Sequence, residues 1–388
     1  MKLIPLFLLL VIAFIDLSGN LNAQTTDQTS GGTETLKFRP LFNDNDLEGW
    51  VLVNVAPSTF KMENRILKCT GKPIGEIRTE KMLQNFVLEI EWRHLKPSGN
   101  AGIFVWADDL TARGQPFHRG IEVQVLENAY GDSKGHTTHG DIFPIHGAKM
   151  NPINGRGGGR AFPTELRSKP SPEWNHYRIE AINGKISLAV NGKVVTRGEN
   201  CNPRKGYLCI ESEGGLVEYR NARIAELPGD EVPAEETAIA NRGYKTLYTG
   251  VDFAGWKVGE GWKTRGWQIA FNNKADPTSE LTTESTREDF GFVFDVKTTD
   301  NSGNPTFFPR GKAGPSIAID RKIHGDKLQD VGHWNRVEGE VRGEKITGTI
   351  NGKAFDSDTI SIIEASGPIT IVPDGPVHFA NIFVRELE

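Results

Sequence analysis

Cysteine is scarce in this chain. It has three, Cys69, Cys201 and Cys209, among 388 residues. That is too few for a disulfide framework, and no accompanying pattern supports a thiol nucleophile. The odd number leaves at least one thiol free, although Cys201 and Cys209 flank the NPRKGYL turn and could pair. Excess positive charge is missing too. With 45 Lys and Arg against 50 Asp and Glu, the net charge is -5, which excludes the basic footprint of a nucleic-acid binder. Long apolar runs stop at the N-terminus. Leu3 to Ile15 is short for a membrane span, and nothing later approaches one. Lys2 before that run and Leu21-Asn22-Ala23 after it read as a signal peptide over residues 1–23, with Asp16 and Leu21 blurring the cut. No cysteine near the cut argues for a lipid anchor. The chain is therefore expected to be exported, to the periplasm or beyond the cell, with no membrane span.

Helical periodicity is also absent. VLEIEWRH (Val87 to His94), GIEVQVLE (Gly120 to Glu127), HYRIEAI (His176 to Ile182) and KISLAVNG (Lys185 to Gly192) alternate apolar and polar residues as strands do. Asn183-Gly184 is a hairpin signal, and Asn191-Gly192 marks a further turn. Short alternating strands with Gly, Asn and Pro turns imply an all-β sandwich or barrel.

The strand pattern occurs twice. EWNHYRIEAINGKISLAVNGKVV from Glu173 recurs as HWNRVEGEVRGEKITGTINGKAF from His333, and an offset of 160 holds to YRNARIAEL and FANIFVREL. Upstream, DLEGW ending at Trp50 matches DFAGW ending at Trp256, and NFVLEIEWRHLKPSGNAGIF from Asn85 matches DFGFVFDVKTTDNSGNPTFF from Asp289. A polar tether (24–35), a first domain (36–229), an acidic proline-punctuated linker (230–243) and a second domain (244–388) follow from this duplication.

One copy can be subtracted from the other. Trp50, Trp174, Asn191 and Asn221 recur and are assigned to the scaffold, with Trp50 and Trp174 expected in the core. The Ser-Gly-Asn turn ending at Asn100 also recurs, while Arg93 becomes Lys297, a partial retention. Glu122 and Gln124 become Ser316 and Ala318. At i and i+2 they share one face of a strand whose other face is apolar, so they are candidates for a site. The offset falls from 194 to 160 between Glu127 and Trp174, so the first copy carries 34 extra residues. That insertion holds HTTHGDIFPIHGAKM, with His136, His139, Asp141 and His146, followed by GRGGGR. Loops this long in compact domains are usually functional or disordered, and the density of His, Asp and Phe argues against disorder. His139, Asp141 and His146, with Glu122, could hold a divalent metal, although the spacing matches no zinc signature. A histidine here could equally serve as acid or base. The glycine-rich GRGGGR segment reads as a flexible lid with solvated arginines, since it lacks phosphate-loop spacing.

At these residues the chain resembles the 3-keto-disaccharide hydrolase family. LFNDNDLEGW, NFVLEIEWR, SGNAGIF, GIEVQVLEN, PSPEWNHYRIEAINGKISLAVNGKVV and VEYRNARIAEL, from about Phe38 to Pro228, are similar to its serial motifs, and the second copy looks degenerate. The resemblance implies a concanavalin-like jelly-roll sandwich and action on glycosides oxidised to a ketone at C3. Such a ketone acidifies the C2 proton, so one base, one proton donor and stabilisation of an enolate suffice for elimination at C1, with or without rehydration. On that reading Glu122 is the base or a metal ligand, and His139 or His146 the acid/base or a ligand. Arg93, Asn100, Trp106, Gln124 and Lys149 are expected to contact an oligosaccharide or glycoside.

Two other readings compete. EVQVLE resembles the catalytic strand of retaining β-glucanases, with a bulge bringing Glu122 and Glu127 to one face, but Gln124 stands where an aspartate is expected. A binding module without catalysis would use Trp92, Trp106 and Trp50 as sugar platforms. Trp50 recurs as Trp256, whereas Trp106 does not recur, its counterpart being Arg310, and it remains a platform candidate.

Overall fold

A computed structural model describes residues 35–130, 139–240, 242–272, 279–301, 303–356 and 365–387. The expected signal peptide, the tether up to Glu34, His136 and Asn241 lie outside the described residues. Among the described residues the chain is built from antiparallel strands, with one α-helical turn (Arg321–His324) and one 3-10 turn (Ala234–Glu236). No described helix is long and apolar enough to cross a membrane.

Four sheets pair into two sandwiches. In the first, a nine-stranded back sheet faces a six-stranded sheet ordered Trp50–Val53, Gly75–Thr79, Tyr207–Ser212, Gly102–Ala107, Gly120–Gln124 and Ile142–Ile145. The second sandwich pairs an eight-stranded sheet with a five-stranded one. The alternation seen in the sequence sets the faces. Ile77, Ile103, Val105, Ile121, Val123, Leu208 and Ile210 point between the first pair of sheets, into one core with Leu88, Ile90 and Trp92 from the back sheet. Burying each such aliphatic side chain stabilises the fold by roughly 1.5–3 kcal/mol.

Recurrent residues hold recurrent backbone. Asn191 and Asn221 take φ of 46° and 51°, and Asn351 and Asn381 both take 52°, a left-handed region that Asn tolerates better than most side chains. Asn183 and Gly184, at φ 49° and 70°, form the expected tight hairpin. Trp50 and Trp256 are buried, as expected of core residues. Trp174 is not in the core. It lies half-exposed on the back sheet between Arg93 and Arg220, whose guanidinium carbons stand 4.5 and 4.0 Å from its ring centroid. The second copy repeats the stack with Lys297 at 4.6 Å from Trp334, which explains why a cation recurs at that position.

The ungapped offset of 160 needs one correction. Ile210 pairs with Ile103 and Ile371 with Phe307, so within this strand the offset is 161.

The acidic segment after Pro228 runs along the first sandwich. Arg204 N donates to Glu236 O, Ala238 N to Lys205 O, and Ile239 N to Asp108 Oδ1. The two sandwiches meet through a hairpin of the first, Thr111 to His118. Gly114 N donates to Asp295 Oδ2 at 2.8 Å, Arg336 Nη2 to Thr111 O at 2.8 Å, and Asn381 Nδ2 to Gln115 O at 2.9 Å. Asp295 is fully buried and also accepts from Arg336 and Asn381. Beside this contact, Val53 and Leu110 pack with Tyr244, Val293 and Phe383.

Candidate active site

The six-stranded sheet turns a second face away from the core, and that face is also covered. Glu122 and Gln124 project there from Gly120–Gln124. Register places Glu122 opposite Phe104, and Gln124 opposite Gly102. On the next strand Ile210 pairs with Ile103, which sends Cys209 and Glu211 to the same side as Glu122. Phe117, Leu126, Tyr130, Phe143 and Arg160 close over them around a cavity of about 280 Å³, which Glu213 and Asn100 also line.

Gly102 makes this gathering possible. A Cβ at that position would stand 2.8 Å from both Glu122 Oε1 and Glu211 Oε2, so the two carboxyls crowd one point above a missing side chain. In the second copy the equivalent residue is Thr306, opposite Ala318.

Crowding and burial keep these groups protonated far above the usual carboxylate range. Burial pushes Glu122 up to about 8, Glu213 and Asp141 add to the rise, and Arg160 opposes it. Burial first and then the neighbouring Glu122 and Glu213 hold Glu211 well above its ordinary value. Glu213 rises to about 7 through burial, against hydrogen bonds from Glu211 and Asn100. The three titrate as a set, holding protons and negative charge together near neutral pH.

A relay orients them. Gln124 Nε2 donates to Asn100 Oδ1 at 2.9 Å and to Ala101 O at 3.3 Å, and Asn100 Nδ2 donates to Glu213 Oε2. Opposite, Arg160 donates to Asp141 Oδ2 at 2.9 Å and lies with its guanidinium carbon 3.5 Å from the Phe143 ring centroid. Its side chain is 20% exposed. The arginine of GRGGGR expected to be solvated is therefore a wall of the cavity.

Several expected site residues fall elsewhere. Arg93 is on the back sheet, bound to Glu218 at 2.9 and 2.6 Å. Trp106 is fully buried, and its Nε1 donates to Gln84 O at 2.7 Å, so it offers no platform to a sugar. Arg310 makes the equivalent bond, from Nε to Glu288 O at 2.6 Å, so the two copies secure the same packing contact with different side chains. Trp92 is buried in the core and Trp50 stacks on Phe42 at 4.9 Å, so neither is a platform. His146 and Lys149 are exposed beyond the cavity. His139 is buried, accepts from Ser168 N at 3.4 Å, and is pushed down to about 4 by burial. Asp141 is paired with Arg160, so the expected metal set of His139, Asp141, His146 and Glu122 does not converge. Loop residues have no periodicity to fix their direction, so closeness in sequence did not bring these side chains to one point.

Glu127 is also structural. Burial opposes its charge, but the N–H groups of Ser171, Ala129 and Ser98 outweigh it and hold the carboxyl below its ordinary value. It does not join Glu122, so the β-glucanase arrangement is absent. All three cysteines are buried and free, so Cys201 and Cys209 do not pair. They sit on strands of different sheets.

Glu211 and Glu213 are the functional candidates that sequence reasoning missed. The copy comparison carried the signal, because Val372 stands where Glu211 does once the 161 offset is applied. Gly102, replaced by Thr306, carried it too.

The chain resembles known proteins. Residues 37–225 match the family described as a 3-keto-alpha-glucoside-1,2-lyase-like domain. No curated protein sequence matches the chain. Among solved structures, a candidate glycosyl hydrolase from Parabacteroides distasonis is 20% identical, covering 49% of this chain and 94% of its own, with a TM-score of 0.39. The carbohydrate-binding module CBM66 from Bacillus subtilis is 10% identical over 47% of this chain and 98% of its own, with a TM-score of 0.34. A kappa-carrageenase from Pseudoalteromonas carrageenovora is 13% identical over 52% of this chain and 99% of its own, at 0.34.

Proposed function

Because its first sandwich belongs to the 3-keto-alpha-glucoside-1,2-lyase-like family, we propose that this protein cleaves glycosides already oxidised to a ketone at C3. The observation that carries the reading is the crowding of the buried Glu122 and Glu211 carboxyls over Gly102, in one cavity with Glu213, an amide relay and a guanidinium. A ketone at C3 makes the C2 proton acidic. An ionised carboxylate of the Glu122–Glu213 pair takes that proton, and the electron pair moves into the C2–C3 bond as the ketone becomes an enolate. Collapse of the enolate expels the C1 oxygen, which receives a proton from the carboxyl that kept one. Water addition at C1, with a proton returned to C2, gives net hydrolysis. Raised carboxyls suit both roles, since the best general acids and bases titrate near the working pH. Arg160, at the cavity wall, is placed to stabilise the enolate oxygen. Gln124 and Asn100 act as positioning residues that aim Glu213. An oxocarbenium ion is not required, so the two-carboxylate spacing rule of ordinary glycosidases does not apply.

The chain works, on this reading, outside the cytoplasm after removal of its N-terminal segment, and the second sandwich holds the first rather than catalysing. The test is incubation of the purified protein with a 3-keto-glycoside and with its unoxidised parent, with and without chelator, followed by NMR of the products. Turnover of the keto compound alone is expected, and equal turnover of both would refute the proposal. Glu122→Gln separates catalysis from simple sugar binding: an enzyme loses turnover while a binding module keeps its affinity and had no turnover to lose.

A further inference from the structure

A second buried cluster lies on the same outer face, one strand beyond the carboxyl cavity. Glu76 pairs across the ladder with Glu211, and Cys209 lies two residues before Glu211 on the same face. His118, the last residue of the hairpin docked on the second sandwich, folds down onto both. One donor atom from each of Glu76, His118 and Cys209 lies within 4.8 Å of the others. The thiol is 3.9 Å from His118 Nδ1, which also faces Glu76 Oε2. All three residues are fully buried, and among the described residues Glu76 Oε1 and His118 Nε2 have no hydrogen-bond partner. Buried polar atoms are rarely left so, and a buried carboxylate needs a cation or a proton.

The cations nearby are committed elsewhere. Arg78, two residues along the same strand face, donates to Asp109 O and Thr79 O and lies over Tyr207. Arg242 pairs with Asp109. The second copy shows what the position demands. There the equivalent glutamate, Glu280, is met by Lys312 at 2.6 Å. Lys312 precedes Ala318 by the interval that separates His118 from Gln124, and Thr370 stands where Cys209 does. One copy supplies an ammonium to the carboxylate, whereas the other supplies an imidazole and a thiol.

We propose that Glu76, His118 and Cys209 bind a divalent metal ion of zinc type, which takes the place that the lysine ammonium fills in the second copy. Carboxylate, imidazole and thiolate are together a donor set for such borderline-soft ions. Binding displaces the thiol proton to solvent, and no redox step is involved. The ion would fasten the hairpin to the sheet. Phe117, the neighbour of His118, lines the carboxyl cavity, so the clamp would also fix one wall of that cavity. The inference does not depend on the sugar chemistry.

The test uses the full chain without a metal-binding tag, stripped by chelator and reloaded with zinc or cobalt(II). A single tightly held zinc per chain is expected, with a rise in melting temperature. The cobalt form is expected to show a thiolate-to-cobalt charge-transfer band in the near ultraviolet. Cys209→Thr, which installs the residue of the second copy, should fold, lose the band and lose the zinc-dependent stabilisation, while Cys201→Ser keeps both. Failure of the unaltered chain to take up metal, or a band that survives Cys209→Thr, would overturn the assignment.

Discussion

Substituting Gly102 by alanine tests the site at its tightest point. The new Cβ would lie 2.8 Å from an oxygen of Glu122 and 2.8 Å from an oxygen of Glu211, where ordinary contact begins at 3.4 Å. Each carboxyl must therefore retreat by about 0.6 Å, or the strand must move. Misplacement by about 1 Å can cost on the order of 100-fold in rate, so a loss of roughly 10-fold in kcat, about 1.4 kcal/mol, is expected here. Stability should change little. Alanine gains roughly 0.5–1 kcal/mol over glycine in backbone entropy, which offsets part of the steric cost. The second copy accepts Thr306 at the same place in its strand, so the backbone itself tolerates a side chain. Spreading the carboxyls also weakens their mutual repulsion, so the ascending limb of the pH–rate profile should move to lower pH. The assay is exchange of the C2 proton of a 3-keto-glycoside in deuterated water, followed by NMR alongside a thermal melt. Unchanged exchange, with an unchanged pH profile in a normally melting protein, would refute the argument that this crowding tunes the site.

Other consequences are accessible to simpler measurements. The raised carboxyls of Glu122 and Glu213 bind protons in the folded state that the unfolded chain has released. Above about pH 6.5, where depressed histidines such as His139 are neutral in both states, stability should therefore decline as pH rises toward about 8, and a melting temperature that climbs through this window would contradict their burial. Asp295→Ala strips Arg336 of its buried partner and should destabilise the chain by about 3–5 kcal/mol in a denaturant titration. A loss below about 1 kcal/mol would mean the docking contact is slack. Arg93→Ala should leave kcat/KM within about twofold, since the residue stacks on Trp174 far from the cavity sheet, and a loss above about tenfold would return it to the site. The three thiols should resist a thiol reagent until the protein is unfolded, because burial pushes Cys69 up to about 11 and Cys201 up to about 12.

The fold was legible because strand alternation and left-handed asparagines are local signals, and the duplication let each copy check the other. Glu122 was legible for the same reason: its face follows from period two, and its loss in the second copy marked it. Gln124 was marked in the same way, though its hydrogen bonds aim Asn100 rather than a sugar. Glu211 escaped because its nearness to Glu122 depends on a strand from elsewhere in the sequence lying between them, with a glycine at the crossing point. Comparing copies also misled. Trp106 differs from Arg310, yet both tie the same strand to the same carbonyl position, so divergence there records two solutions to one packing problem. His139 and His146 drew attention through density in a loop, where composition says nothing about direction.

The hairpin from Thr111 to His118 has an evolutionary consequence. It leaves the first sandwich to rest on Asp295 of the second, yet its Phe117 lines the carboxyl cavity. A duplicated domain that begins as a spare is free to be deleted. Once one copy leans a wall of its cavity on the other, deletion of the second removes more than mass. On the proposed function, the second sandwich would then be retained by selection for the activity of its twin.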